Sequence, residues 1–542
     1  MTASPLVPVP LARGRRGAVV APHHLATAAG LEVLAAGGSA VDAAIATNAA
    51  LAVVMSNGCG VGGDAFWLIW DAATGAQVGL NGSGRSAAAA DPAALRARGL
   101  TAIPYRGALS ITVPGAVRSW GDAHARFGRL GRDGVLAPAI ALARGGFPAW
   151  DGFIASVEAM AGVAEAGFLG HFRPHGRAWR PGEAVRLPAL AATLERLATD
   201  GFGSFYEGEI ADHQARALAA AGSALTSADF ADHTSTWTEP IETSYRGVRV
   251  TTHRPNSSGV VALQLLNLLE QFEPPAGEPD ARWVHLGIET SKLAMADRDA
   301  HLTDPEWHDI PLDRLLDKSY AVDLARRVEP DRASPAPAAR VPRGGGTIYL
   351  ATVDALGNAV SLIESNYSGF GSGVADPVTG VHYQNRGSYF SLDQDHPNVL
   401  APRKRTLHTL LPGMLFRDGQ PGPWVVAGSM GGDAQPQIHA QVVSGLVDAR
   451  RDVRSAVSAP RWFVEPAEHF APPVEVRIEP RFAPGVVDEL KRLGHPVTEV
   501  GAWDSGLGHC HAIELVAGGP ADPDGSLVAA TDPRSMGLPA VR

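Results

Sequence analysis

Apolar residues recur at helical spacing from His24 to Val54, in a run rich in Ala and Leu that Gly37-Gly38-Ser39 interrupts. The spacing predicts two packed helices, with the Ser39 hydroxyl capping the second. The same period runs through 182–222, 278–330 and the segment around Leu136 to Ala143, so the first two-thirds of the chain is expected to be helix-rich. A glycine turn, Gly58 to Gly63, then leads into an apolar run from Ala65 to Trp70 that reads as a strand. From Ile348 onward short β-branched and aromatic runs alternate with Gly, Pro and Asn turns. They predict strands over 348–353, 359–363, 424–427 and 474–478 and a helix over 437–446. Layered α/β architecture is the expected fold class.

Composition removes several function classes. The 542 residues carry 45% hydrophobic side chains and a formal net charge of −10, enough to build a large core and wrong in sign for a nucleic-acid footprint. The basic clusters stop at Arg13 to Arg16 and Arg403 to Arg405. Two cysteines, Cys59 and Cys510, support neither a disulfide framework nor a CxxC metal or redox site, and no H-E-x-x-H is present. No metal or cofactor is expected. The most apolar stretch, Ala43 to Met55, is broken by Thr47 and Asn48, so it reads as a buried helix and not as a membrane span. Met1 to Arg16 holds no apolar core of a secretory signal, which makes the cytoplasm the expected location. Gly58 to Gly63 matches G-x-G-x-x-G, but a dinucleotide loop follows a strand and opens a helix, and here the order is helix, turn, strand. Close backbone packing is the better reason for these glycines.

One junction carries chemistry. A Pro/Ala/Arg-rich linker, 328–346, ends in Gly344-Gly345-Gly346 and feeds Thr347 onto the first position of a strand. A threonine hydroxyl is a weak nucleophile without a base beside it. Cleavage of the Gly346-Thr347 bond would supply that base as the residue's own α-amine, whose ordinary pKa of about 7.7–8.0 leaves a useful neutral fraction at pH 7.

Nine stretches occur in order along nearly the whole chain: Gly37 to Ala44, Gly60 to Gly63, Val113 to Gly115, His253 to Gly259, Ala296 to Arg298, Gly357 to Val360, Phe370 to Gly373, Gly428 to Gly432 and Asp532 to Ser535. Together they resemble the motifs of the γ-glutamyltranspeptidase family. The resemblance implies an N-terminal nucleophile hydrolase: a four-layer αββα sandwich made as a proenzyme that cuts itself. Residues 1–346 would form the large subunit and 347–542 the small one, together a single globular unit. Thr347 falls at the nucleophile and Gly346-Thr347 at the cleavage site. Ser365 stands where the family has a second threonine bonded to the nucleophile. The N–H groups of Gly431 and Gly432 would form the oxyanion site, and Arg85 would grip a substrate carboxylate. The implied partner is a small amide substrate, with subunit pairing from one precursor.

Departures from the family pattern concentrate on the substrate. Tyr389 replaces the acidic residue that holds a donor α-ammonium, Arg386 lies in the same stretch, and His408 and Thr409 replace a serine pair. Asn385 is retained, whereas Tyr367 replaces an asparagine. Two catalytic readings follow: hydrolysis or transfer of γ-glutamyl amides such as glutathione, or the same chemistry on an acyl donor without the α-amino group, such as a glutaryl amide or oxamate. A third reading is an unprocessed, non-catalytic binding relative.

Overall fold

The computed structural model describes residues 10–334, 346–468 and 471–542. The Ser39 hydroxyl accepts the Asp42 backbone N–H and Asp42 returns a bond to the Ser39 N–H, a capping box that starts helix Ala40–Val54 just after helix His24–Ala35. Every residue of Ala40–Val54 is buried, as expected of a helix apolar on all sides. No helix among the described residues is long and apolar enough to cross a membrane.

Two seven-stranded antiparallel sheets form the centre. In one, the strands lie in the order Ala540–Val541, Ala18–Val20, Gly346–Val353, Ala359–Tyr367, Asp64–Asp71, Ala76–Gly82 and Thr236–Thr238. In the other, the order is Leu11–Gly14, Ser526–Thr531, Cys510–Val516, Val425–Ser429, Gly413–Arg417, Val248–Thr252 and Ile241–Tyr245. Alternation along each strand sorts side chains into layers. Phe66, Leu68, Trp70, Tyr349, Ala351, Ile363, Met414, Val426 and Ile513 meet between the sheets. Trp67, Ile69, Leu350 and Leu362 face outward, against helices such as Ala40–Val54 and Arg132–Gly145. Across the second sheet, Val250, Leu415, Val425 and Ala512 pack against Gly259–Leu269, Ala281–His301 and Gln435–Val447. The result is the expected αββα sandwich. Gly346–Val353 pairs with Ala18–Val20 on one side and Ala359–Tyr367 on the other, so chain before and after the Gly346-Thr347 bond shares one sheet.

Several strands escaped the periodicity reading. Ile241–Tyr245 and Val248–Thr252 form a hairpin inside the stretch expected to be helix-rich; the first alternates buried and exposed residues, and Arg246-Gly247 makes the turn with positive φ at both positions. Gly413–Arg417, Cys510–Val516 and Ser526–Thr531 complete the second sheet. The strand expected at 474–478 runs Ala471–Ile478 and belongs to a separate three-stranded sheet with Trp462–Glu468 and Val497–Glu499. Of the linker, 335–345 lies outside the described residues.

Candidate active site

Thr347 has the same strand parity as Tyr349 and Ala351, and Ser365 the same parity as Ile363, so both hydroxyls face the space between the sheets. The register pairs Thr347 with Ser365 and shifts between Gly346 and Thr347, which places a bulge at the proposed scissile bond. Tyr367, opposite Gly346, has φ of 72°, a left-handed conformation that a non-glycine residue adopts at a cost. Only glycine fits at 346, because a Cβ there would lie 2.2 Å from the Ser368 carbonyl oxygen.

Three hydrogen bonds converge on the Ser365 hydroxyl oxygen. Its O–H donates to the Gly346 carbonyl at 2.7 Å, the Tyr367 N–H donates to it at 2.7 Å, and Thr347 Oγ1 lies 2.8 Å away. With its own proton on Gly346, the Ser365 oxygen is free to accept the Thr347 hydroxyl. With Thr347 as nucleophile, that polarity would activate its oxygen and polarise the carbonyl it would attack. Next door, the Glu364 carboxylate accepts from Gly60 N–H at 2.9 Å and from Asn48, and burial lifts its pKa to about 8. It ties the strand that pairs with Thr347 to the glycine turn. In that turn a Cβ at Gly62 would lie 2.0 Å from the His382 carbonyl oxygen, which supports the packing reading of these glycines.

Gly428, on the strand Val425–Ser429, approaches the Tyr349 ring so closely that a Cβ would lie 2.3 Å from it. The chain then turns through Gly431 and Gly432, with φ of 156° and 55°, into the helix Gln435–Val447. Asp433 follows at once. Its carboxylate accepts from Arg298, on helix Ala281–His301, and from the Tyr389 hydroxyl. Burial raises the Asp433 pKa and the Arg298 guanidinium opposes the rise.

Arg386 opens a 3-10 turn, Arg386–Tyr389, and is fully buried. Its guanidinium carbon lies 4.4 Å from the Tyr367 ring centroid and 5.4 Å from that of Tyr389, and Nη1 is 3.3 Å from the Thr409 hydroxyl. Nε and Nη2 have no hydrogen-bond partner among the described residues. A buried cation with unmade donors is costly unless a ligand completes it. Arg85 is differently placed: Nη2 donates to both oxygens of Glu306, at 2.9 and 3.0 Å. Asn385 bonds Ser368 N–H and Oγ through its carbonyl oxygen and donates to the Tyr105 carbonyl, so it braces the turn after the Ser365 strand.

His408 Nε2 lies 3.2 Å from an Asp64 oxygen, and the other Asp64 oxygen accepts from the N–H groups of Gly84 and Gly115. Burial pushes Asp64 up to about 7, with Arg386 and Arg405 opposing, and the same desolvation holds His408 neutral. The folded chain therefore keeps a proton that an unfolded carboxyl, with its ordinary value of 3.8, gives up. The sign follows: this group's contribution to stability is greatest below about pH 4 and drains away as pH climbs to about 7. In urea unfolding, the advantage of wild type over Asp64→Asn should be larger at pH 5 than at pH 8; an advantage independent of pH would refute the protonated carboxyl.

The sequence reading did not single out Asp433, Asp64 or Glu306. Asp433 carried a signal, since an acidic residue directly after a glycine pair ends at the same turn. Glu306 carried none, because its partner is 221 residues away. Among the described residues, His285, Glu289 and His495 bring metal-ligand atoms together. Those atoms already partner one another and Lys292: His285 Nδ1 lies 2.7 Å from His495 Nε2, and Lys292 Nζ 2.6 Å from Glu289.

Comparison with known proteins bears on this geometry. Residues 26–541 match the sequence profile described as Gamma-glutamyltranspeptidase. The glutathione hydrolase-like YwrD proenzyme of Bacillus subtilis is 40% identical over 97% of this chain and 98% of its own. The oxamate amidohydrolase proenzyme of Klebsiella pneumoniae is 36% identical, with the same coverage. The crystal structure of cephalosporin acylase from Bacillus halodurans superposes with a TM-score of 0.89 at 36% identity, covering 100% of this chain and 99% of that one.

Proposed function

The chain belongs to the γ-glutamyltranspeptidase family and has the fold of its N-terminal nucleophile hydrolases; from that premise we propose that it hydrolyses a small amide whose acyl part carries a carboxylate and no α-ammonium. Processing comes first. The Thr347 hydroxyl attacks the Gly346 carbonyl, the acyl group moves from nitrogen to oxygen, and water releases a chain that begins at Thr347. In turnover the freed α-amine takes the hydroxyl proton, Thr347 Oγ1 forms an ester with the acyl part, the amine leaves, and water or an acceptor amine resolves the ester. The Gly431 and Gly432 N–H groups are the proposed donors to the oxyanion in both reactions, a term worth about 10²–10³ in rate per donor.

The observation that carries the choice of substrate is Arg386, a buried guanidinium with Nε and Nη2 unmade. A planar cation with free donors suits a carboxylate and repels an ammonium. The carboxylates nearest to it in the site are committed: Asp433 to Arg298 and Tyr389, Asp64 to two backbone N–H groups and His408. The relative named oxamate amidohydrolase supports the same class, since oxamate is a carboxylated amide without an α-amino group. The γ-glutamyl reading draws on the relative named glutathione hydrolase-like, and for its ammonium it would have to use Asp433 or Asp64, both already engaged.

Glutaryl and γ-glutamyl anilides of one leaving group, with oxamate alongside, test the choice. Faster or equal turnover of the glutaryl compound, or turnover of oxamate, is expected. Strong preference for the γ-glutamyl anilide with no activity on oxamate would overturn it.

A further inference from the structure

The geometry points to Asp433 as a positioning residue that fixes the Gly431-Gly432 turn for acyl transfer, held by Arg298 on one side and Tyr389 on the other. This rests on the proposed function, in which that turn receives the oxyanion. Two adjacent glycines with φ of 156° and 55° occupy conformations few other residues adopt, and they leave the backbone loose unless something else holds it. Oxyanion donors must keep their place to within a fraction of an ångström. Upstream the turn is tied by Met430 N–H to the His509 carbonyl at 3.0 Å, and across it Ala434 N–H donates to the Gly431 carbonyl at 3.0 Å. Gln435 N–H donates in turn to the Gly432 carbonyl, so these backbone bonds run along the turn and none holds it from the side. The side chain of Asp433 does, through bonds to two separate elements: a buried one to Arg298 on helix Ala281–His301, and a half-buried one to the Tyr389 hydroxyl in the 3-10 turn that also carries Arg386. Arg298 is buried and also holds Asp299 through Nε at 2.9 Å and Nη2 at 2.7 Å, so its position is set independently of Asp433.

The clamp also crosses the cleavage point. Arg298 precedes the Gly346-Thr347 bond in sequence, while Tyr389 and Asp433 follow it, so the ion pair would bind the two cleaved chains to each other at the turn. Arg386 would share this frame through Tyr389, coupling the carboxylate pocket to the oxyanion turn.

Electrostatics and positioning predict opposite signs, which makes the inference testable. A carboxylate near a developing oxyanion is unfavourable by itself. Neutralising it in Asp433→Asn would therefore speed the reaction if charge alone mattered. Positioning predicts the reverse: kcat lower by about tenfold to a hundredfold, as for a displacement approaching 1 Å, with KM within about twofold. Self-cleavage, which needs no added substrate, should slow alongside. Tyr389→Phe removes one bond and no charge, and should lower kcat by a smaller factor; it carries the test if Asp433→Asn does not fold. Raised or unchanged kcat in both variants overturns the inference, as does a rise in KM confined to γ-glutamyl substrates, which would make Asp433 an ammonium receptor. An active wild type matched by both variants overturns this inference alone. A wild type that neither cleaves itself nor hydrolyses amides overturns the proposed function with it.

Discussion

Thr347→Ala should remain a single uncut chain and hydrolyse no amide, whereas wild type should separate on intact-mass analysis into residues 1–346 and 347–542. Loss of the nucleophile in other acyl-transfer enzymes costs about 10⁶ in kcat, far beyond the effect of any single supporting group. One substitution should remove two reactions, because in the proposed mechanism the same hydroxyl, 2.8 Å from Ser365, serves cleavage and turnover. Thr347→Ser keeps the hydroxyl and should cleave itself, which separates chemistry from folding. The site is built to tolerate this pair: Ser365 fills the partner position with a hydroxyl and one carbon fewer than threonine, and still reaches the Gly346 carbonyl at 2.7 Å. A cut and active Thr347→Ala protein would place the nucleophile elsewhere.

Much of the surroundings of Thr347 was legible in the sequence, because the determinants are local. A glycine run before a β-branched strand marks the junction, and the spacing to Asp354 and Gly357 sets the hairpin whose far strand holds Ser365 opposite Thr347. Helix Ala40–Val54 was legible for the same reason, since its cap and its apolar sequence lie within the helix itself. The second sheet was harder to read. The strand expected at 424–427 is there as Val425–Ser429, but Val248–Thr252 and Gly413–Arg417 are short strands far apart in sequence that pair with each other. The partners of the two candidate substrate-binding arginines were least legible. Arg85 and Arg386 are both single arginines among small polar residues, and what distinguishes them is that Glu306 pairs with Arg85, whereas Nε and Nη2 of Arg386 have no partner among the described residues. Sequence spacing does not encode that contact. It depends on the loop after helix Ala281–His301 passing the strand end at Gly82.

That contrast makes Arg386→Met the second decisive substitution. In most proteins removal of a buried arginine destabilises the fold because a paired carboxylate is left behind unpaired. Among the described residues Arg386 makes no salt bridge; it has a 3.3 Å contact to the Thr409 hydroxyl, the faces of Tyr367 and Tyr389, and a longer-range attraction to Asp64 and Asp433, which are already engaged by other groups. Burial already depresses its pKa, which is the desolvation cost expressed as proton affinity. Methionine keeps a long apolar stem between the two rings and abolishes that cost, so the midpoint of thermal unfolding should hold or rise. Activity should move the other way. A charged hydrogen bond to substrate is worth about 1.5–3 kcal/mol, so kcat/KM for a glutaryl or oxamate-type substrate should fall roughly tenfold to 150-fold. An uncharged acyl anilide should lose nothing, since it never used the guanidinium. The γ-glutamyl anilide should gain on the glutaryl one, because its ammonium would no longer face a fixed positive charge in a site of low dielectric. If stability drops and all three substrates suffer equally, Arg386 is a structural element of the pocket wall, and the acyl carboxylate is bound by some other group.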